Sequence, residues 1–310
     1  MTSVLKVINP GLYCCVQDLG RFGQNHLGLT TGGCHDPYAF KVANALVGNP
    51  INSPALELTL GGFRAEVLAP ITIALTGPNV GFTINNKSQA LWQSIQVTRG
   101  DIIVIATPNI GLRHTLAISG GIKARSHFTS VSTVMREGLG CKIEANTLIK
   151  QQAPRFTKQK VLPANLIPNY CQNTPLNMVL ALQHHEFSAA DLNRFLSSSY
   201  TVTGQSDRMG YRLQGATLES PAGARFSEGI NLGAIQVPAD GQPIVLLNDR
   251  QTIGGYPKLG SVTALDCANL LQKRAGDEVT FNAISIEKAQ NFNHLAQVKL
   301  QRALDALKQS

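Results

Sequence analysis

The stretch LLNDRQTIGGYPK, residues 246–258, ends an apolar run with Asp249, Arg250 and Gln251, follows with Gly254 and Gly255, and closes on Tyr256, Pro257 and Lys258. A carboxylate can hold or remove a proton, a cationic side chain can stabilise charge developing on oxygen, and a carboxamide can orient a polar group. QPIVLLN reads as a strand, so these groups stand at the end of a rigid element, beside a glycine pair expected to permit a tight reversal. A second stretch, TGQSDRMGYRLQG at 203–215, sets Ser206, Asp207 and Arg208 on a turn. The guanidinium fork of Arg208 suits a carboxylate or phosphate, and a local pairing with Asp207 fits equally well. A third, VQDLGRFGQNHLGLTTGGCHDPYAF at 16–40, compresses Gln17, Asp18 and several glycines into one irregular segment. It reads either as a ligand-approaching loop or as a structural loop packed across a barrel mouth.

Other chemistries lack their residues. There is no GxxxxGK[ST] turn to cradle a triphosphate and no GxSxG elbow. His26, His35 and Asp36 cluster, and His184 adjoins His185, but neither group has metal-ligand spacing, so no bound metal is expected. The six cysteines (Cys14, Cys15, Cys34, Cys141, Cys171 and Cys267) contain no CxxC pair and read as reduced, mostly buried thiols. Cys34 is set aside as a nucleophile. The net charge of +8 is spread along the chain, with 12 Lys/Arg against 7 Asp/Glu in residues 1–150 and 15 against 12 in 151–310. Nucleic-acid surfaces concentrate their charge, so that partner is not expected, although a modest positive field can attract a small anion or an acidic protein. With no apolar run of membrane-spanning length and no leader-like start, the expected compartment is the cytoplasm.

The positioning elements are mainly strands. AEVLA, TIALTG, SIQVTRGDIIVIA, RHTLAISGG, NMVLALQ, GAIQVP, QPIVLLND and DEVTFNAI are short apolar or alternating runs bounded by turn residues. Helices are fewer. Asp36 and Pro37 open one that Gly48 stops, Ser188 opens AADLNRFLSS with Asp191 three positions on, and residues 285–308 form a terminal packing helix. The proline-rich stretch around 151–175 reads as a linker. The segments RGDIIVIA and AGDEVTFNAI both place Gly-Asp before a strand, a faint sign of two related halves. The domain boundaries are accordingly 1–155, a linker at 156–175, and 176–310.

The three stretches, in this order, with NALVGNP, ALELTLGG, IALTGPNVG, STVMREGLG and SEGINLGAIQVPADGQPIVLLNDRQTIGGYPKLG, closely resemble one family. It contains the C subunit of ATP-dependent 5-oxoprolinase, also labelled allophanate hydrolase subunit 2 or biotin-dependent carboxyltransferase, and KipA. The likeness spans about residues 4–285. It implies a mainly β fold of two cyclophilin-like β-barrel domains with a few helices. It also implies two partners, the A and B subunits of 5-oxoprolinase, and ATP-driven opening of 5-oxoproline to glutamate. Departures are Phe22 and Gln24 in the QDLGRPGY motif, Cys34-His35 before the aspartate, and Cys141 at a common glycine. They bear on partner contacts or substrate preference more than on the fold.

On that resemblance, Asp249 is the candidate to polarise or deprotonate the amide nitrogen, with Lys258 and Arg208 stabilising charge on oxygen or phosphate. Gln251 and Ser206 would orient the substrate along the Gly254-Gly255 turn, and Gln17 and Asp18 would close the pocket from the other half. ATP with magnesium would bind with the B subunit, because this chain lacks a phosphate loop. No Met-Lys pair exists for covalent biotin, so the related reading, carboxyl transfer to urea or a related amide, needs biotin carried elsewhere. The chain's length favours the oxoprolinase. A regulatory reading, in which the chain binds a kinase-inhibitor-like relative of the B subunit, needs no chemistry from these residues.

Overall fold

Short β-branched runs between turn residues form strands throughout, so the protein is mainly β. This computed structural model describes residues 2–140, 142–155, 157–221 and 226–309; Cys141 lies outside them. The chain divides into two units, one of Met1–Arg21, Gly32–Cys171 and Gln297–Ser310, the other of Phe22–Thr31 and Gln172–Ala296. The main change of unit, at 171/172, falls inside the 156–175 segment. The exchanges at 22–31 and 297–310 have no local signal in the sequence.

The first unit holds two sheets. One runs Leu148–Lys150, Ser3–Pro10, Phe63–Val67, Ile102–Ile105, Phe82–Ile84, Lys87–Ser88; the other runs Tyr13–Gln17, Ala55–Thr59, Arg113–Ile118, Ile71–Thr76, Ser94–Val97. Val7, Phe63 and Ile103 from the first meet Leu58, Ile73 and Leu116 from the second in one core. Strand alternation sends Ala74 and Ala117 to the opposite face, where their small side chains allow helix α1 (Pro37–Leu46) to pack through Phe40, Val42 and Leu46. Asp36 caps α1 by accepting from Ala39 N at 2.9 Å, with Pro37 at the first helical position. The single tryptophan, Trp92, lies in this layer with φ 62° and 4% exposure. Its indole donates to Gly77 O at 3.1 Å, between the rings of Tyr38 at 6.3 Å and Tyr170 at 6.4 Å.

The second unit is built on an eight-stranded, nearly closed barrel sheet. Its order is Glu278–Val279, Tyr200–Val202, Gly210–Gly215, Ile244–Leu246, Ala234–Gln236, Lys258–Val262, Leu176–Leu180, Phe281–Ala283. Ile235, Val237, Val245, Leu247 and Leu259 face its core, with Phe195 from α2 (Ala189–Ser197) and Leu270 from α3 (Ala264–Leu270). Ser188 caps α2 as expected, accepting from Asp191 N at 3.0 Å. Helix α3 is too short to show a clear period; its signal is Thr263 with Asp266 three residues on, and Thr263 accepts from Asp266 N at 3.2 Å. The terminal helix α4 spans Ile286–Gln309, with Ala303 and Leu307 buried in the first unit's helix layer, while Ile286 and Leu295 stay exposed.

The faint halves repeat is a repeated turn. Gly100 and Gly276 both have φ 92° and donate to Val67 O and Val202 O. The following aspartates, Asp101 and Asp277, accept from Thr98 N at 2.7 Å and Arg274 N at 2.8 Å.

Candidate functional site

Within the second unit, the strand Ile244–Leu246 delivers Asp249 beside the turn that carries Arg208. Asp249 N donates to Arg208 O at 2.9 Å, which brings the two side chains together. The guanidinium then grips both carboxylate oxygens, Nε to Oδ2 at 2.8 Å and Nη2 to Oδ1 at 3.0 Å. Both side chains are about 10% exposed, a depth at which the fork-to-fork pair is held firmly. Asp207 instead closes its own turn, accepting from Met209 N and Gly210 N. Ser206 contributes a long 3.4 Å bond to Arg212 O.

Arg250 is buried next to this pair in sequence. It donates to Ile230 O at 3.1 Å and Leu247 O at 3.2 Å, and burial lowers its pKa, partly opposed by nearby Cys267. Burial also pushes the Cys267 thiol up to about 12, helped by Asp266, which leaves it inert.

Lys258 does not join Arg208 and Asp249 in an ion pair. Its Nζ meets Glu228 Oε1 at 3.0 Å, and the same oxygen accepts from Gln183 Nε2 at 3.0 Å. Gln183 Oε1 in turn accepts from Lys258 N at 2.8 Å, so the lysine is held at both ends. Glu228 stands on a two-stranded ribbon, Glu228–Gly229 with Ile253–Gly254. Gly254 is therefore in a strand and outside the left-handed region, not in the tight reversal its sequence suggested. What it needs is space: a methyl group there would come within 3.0 Å of Gln236 Nε2 and 3.4 Å of Ile230.

Gln236 and Gln251 are the unusual members. Gln236 is 1% exposed and its Nε2 has no hydrogen-bond partner among the described residues; the same holds for Gln251 Oε1. An unpaired buried polar group of this kind costs about 1–3 kcal/mol, which marks a place where stability has been sacrificed. Sequence reasoning nominated Gln251 but missed Gln236, Glu228 and Gln183. A lone glutamine in a strand carries no spacing signal, and the faint hint was a polar residue in the otherwise apolar run GAIQVP.

The first unit places its nominated residues differently. Asp18 accepts from Gly20 N at 2.9 Å, Ser130 Oγ at 2.7 Å, Val131 N at 2.9 Å and Ser132 Oγ at 2.5 Å. Gln17 is fully buried and donates to Cys15 Sγ and Thr133 O, while its Oε1 has no partner among the described residues. His35 pairs with Glu57 at 2.8 Å. Cys14, Cys15, Cys34 and Cys267 are buried thiols and Cys171 is exposed. A cavity of about 490 Å³ lies in this unit, lined in part by Pro78, Val80, Thr107, Pro108, Tyr170 and Cys171, and contains none of the nominated residues. No helix among the described residues is long and apolar enough to cross a membrane.

Residues 27–283 match the carboxyltransferase domain, subdomains A and B, and the chain belongs to that family. Among particular relatives, it is 35% identical over 291 residues to the 5-oxoprolinase C subunit of Escherichia coli (strain K12), covering 92% of this chain and 93% of that one. The corresponding protein of Haemophilus influenzae is 31% identical, with 96% of each chain covered. Urea amidolyase of Lachancea kluyveri is 29% identical over 93% of this chain but 17% of its own length. In three dimensions, urea amidolyase of K. lactis superimposes with a TM-score of 0.88 at 25% identity, over 98% of this chain and 20% of that one.

Proposed function

We propose that this chain is the C subunit of an ATP-dependent 5-oxoprolinase, acting with the A and B subunits to open 5-oxoproline to glutamate. The observation that carries the reading is the 35% identity to a 5-oxoprolinase C subunit over nearly the full length of both chains. Opening this lactam in water is uphill near neutral pH. Transfer of the terminal phosphoryl group of ATP to the lactam oxygen would leave ADP and activate the ring carbon for attack by water; the carbon–nitrogen bond then breaks, the nitrogen takes a proton, and a second water hydrolyses the resulting acyl phosphate to glutamate and inorganic phosphate.

In this scheme Asp249 serves the amide nitrogen, Arg208 holds Asp249 in place, and Lys258 offers its charge to oxygen or phosphate. Ser206, Gln251 and the Ile253–Gly254 strand with Gly255 after it shape the surroundings, and Gln17 and Asp18 support the first unit. Arg208 and Lys258 each already carry a carboxylate partner, at 2.8 and 3.0 Å, which leaves little cationic capacity at these two positions for a triphosphate. ATP and its magnesium are therefore assigned to a surface supplied with the B subunit. The test is reconstitution: the three proteins together should hydrolyse ATP only when 5-oxoproline is present, and Asp249→Asn should abolish that coupling. Retention of full coupled turnover by Asp249→Asn would remove Asp249 from the chemistry.

A second reading, carboxyl transfer to urea or a related amide from biotin carried on another domain, is favoured by the superposition on urea amidolyase at a TM-score of 0.88. Replacing 5-oxoproline with urea and a carboxybiotin donor in the same assay separates the two.

A further inference from the structure

Alternation along Ala234–Gln236 puts Ile235 in the barrel core, while Ala234 joins Ile230 and Leu246 in a small cluster of its own. Gln236 follows Ala234 in alternation and is buried beside Ile230 and Gly254. Its cross-strand neighbour is Lys258, whose ammonium is neutralised by Glu228. Among the described residues, a hydrogen-bond donor without a partner thus sits beside the ribbon, and Gln251, three residues before Gly254, contributes a buried acceptor without one. A buried polar atom that makes no protein bond is costly, and a complementary ligand group can supply the missing bond.

From these two unpartnered atoms we propose that Gln236 and Gln251 form a neutral amide-recognition pair: Gln236 Nε2 donates to the carbonyl oxygen of a lactam or ureide, and Gln251 Oε1 accepts from its N–H. This rests on the reading of the chain as part of an amide-converting enzyme, and adds to it the residues that recognise the amide group. Neither carboxamide carries charge, so the pair recognises the neutral planar amide portion of the substrate and leaves its charged groups to other residues. Rejection of analogues lacking the amide hydrogen follows, because they leave Gln251 unpaired.

The experiment is steady-state kinetics of the reconstituted three-subunit complex, with thermal unfolding of the same variants. Gln236→Met keeps the shape and removes the donor: KM for 5-oxoproline should rise about tenfold or more, while the melting temperature holds or rises. A structural glutamine would give the opposite, a lower melting temperature with unchanged KM. Gln236→Glu, similar in shape and unable to donate when ionised, should repeat the KM effect. Gln251→Met should erase discrimination between 5-oxoproline and its N-methyl analogue. KM values within twofold of wild type in Gln236→Met and Gln251→Met overturn the pair. If the wild-type complex shows no 5-oxoproline-dependent ATP hydrolysis, the oxoprolinase reading fails separately. Calorimetric titration of 5-oxoproline and urea into wild type and Gln236→Met then decides: heat in wild type alone upholds the pair, and no heat, or equal heat in both, overturns it.

Discussion

The two units share a turn, while the Asp18 network of the first and the ribbon surroundings of the second differ in how far their buried polar groups are satisfied. Gly100 and Gly276 adopt the same φ of 92°, each before an aspartate that closes its own turn. Yet the Asp18 carboxylate in the first unit is met by four donors from Gly20 and residues 130–132, whereas Gln236 Nε2 and Gln251 Oε1 in the second unit, like Gln17 Oε1 in the first, have no partner among the described residues. Complete satisfaction rigidifies a scaffold, and unsatisfied burial is tolerated where something else must bind. The contrast assigns support to the Asp18 network and recognition to the ribbon and its neighbours.

The sharpest way to break that contrast is to remove one member of the buried ion pair. Arg208→Ala leaves Asp249 with a lost guanidinium and should destabilise the second unit by about 3–5 kcal/mol, read by denaturant unfolding, with coupled turnover lost as well. Asp18→Ala removes an acceptor from four donors and should cost about 3 kcal/mol while leaving KM of the folded protein unchanged. A raised KM would return Asp18 to the binding groups. Gly100→Ala and Gly276→Ala force a side chain into the left-handed region and should each cost about 1–2 kcal/mol. Equal costs would confirm that the turn is one device used twice; unequal costs would show that its surroundings have diverged.

The smallest effect concerns pH. Burial raises the pKa of Asp36, although its bonds from Tyr170 and the α1 backbone oppose the shift. A carboxyl whose folded pKa exceeds its unfolded value contributes stability below the unfolded value, and that contribution is lost as pH rises through the folded one. Asp36→Asn, which still caps a helix, should flatten this loss in the mildly acidic range, seen as a smaller change in unfolding midpoint between low and neutral pH.

Much of the scaffold was legible because it depends on local pattern. The strands at Ile71–Thr76, Arg113–Ile118 and Ile244–Leu246 follow from apolar runs with turn residues at their ends, and the caps at Asp36 and Ser188 follow from side chains that can accept from the helix start. The Arg208–Asp249 pair was legible only as two nominations 41 residues apart; the bond between them depends on strand pairing that no spacing encodes. Lys258 was found, but not Glu228 or Gln183, because their meeting depends on a ribbon of two-residue strands. Gly254 was noticed for the wrong property, since its backbone is extended and its value is the missing methyl. Gln236 left only the faint hint of a polar residue in GAIQVP, because what distinguishes it is that its Nε2 has no partner among the described residues, and a sequence records no absences.

Trp92, lodged between Tyr38 and Tyr170, is the chain's one indole and belongs to the first unit. Its emission therefore watches half of the molecule, and circular dichroism watches all of it. Melting curves that coincide by the two probes would mean the halves come apart together, and curves that separate would date the loss of each.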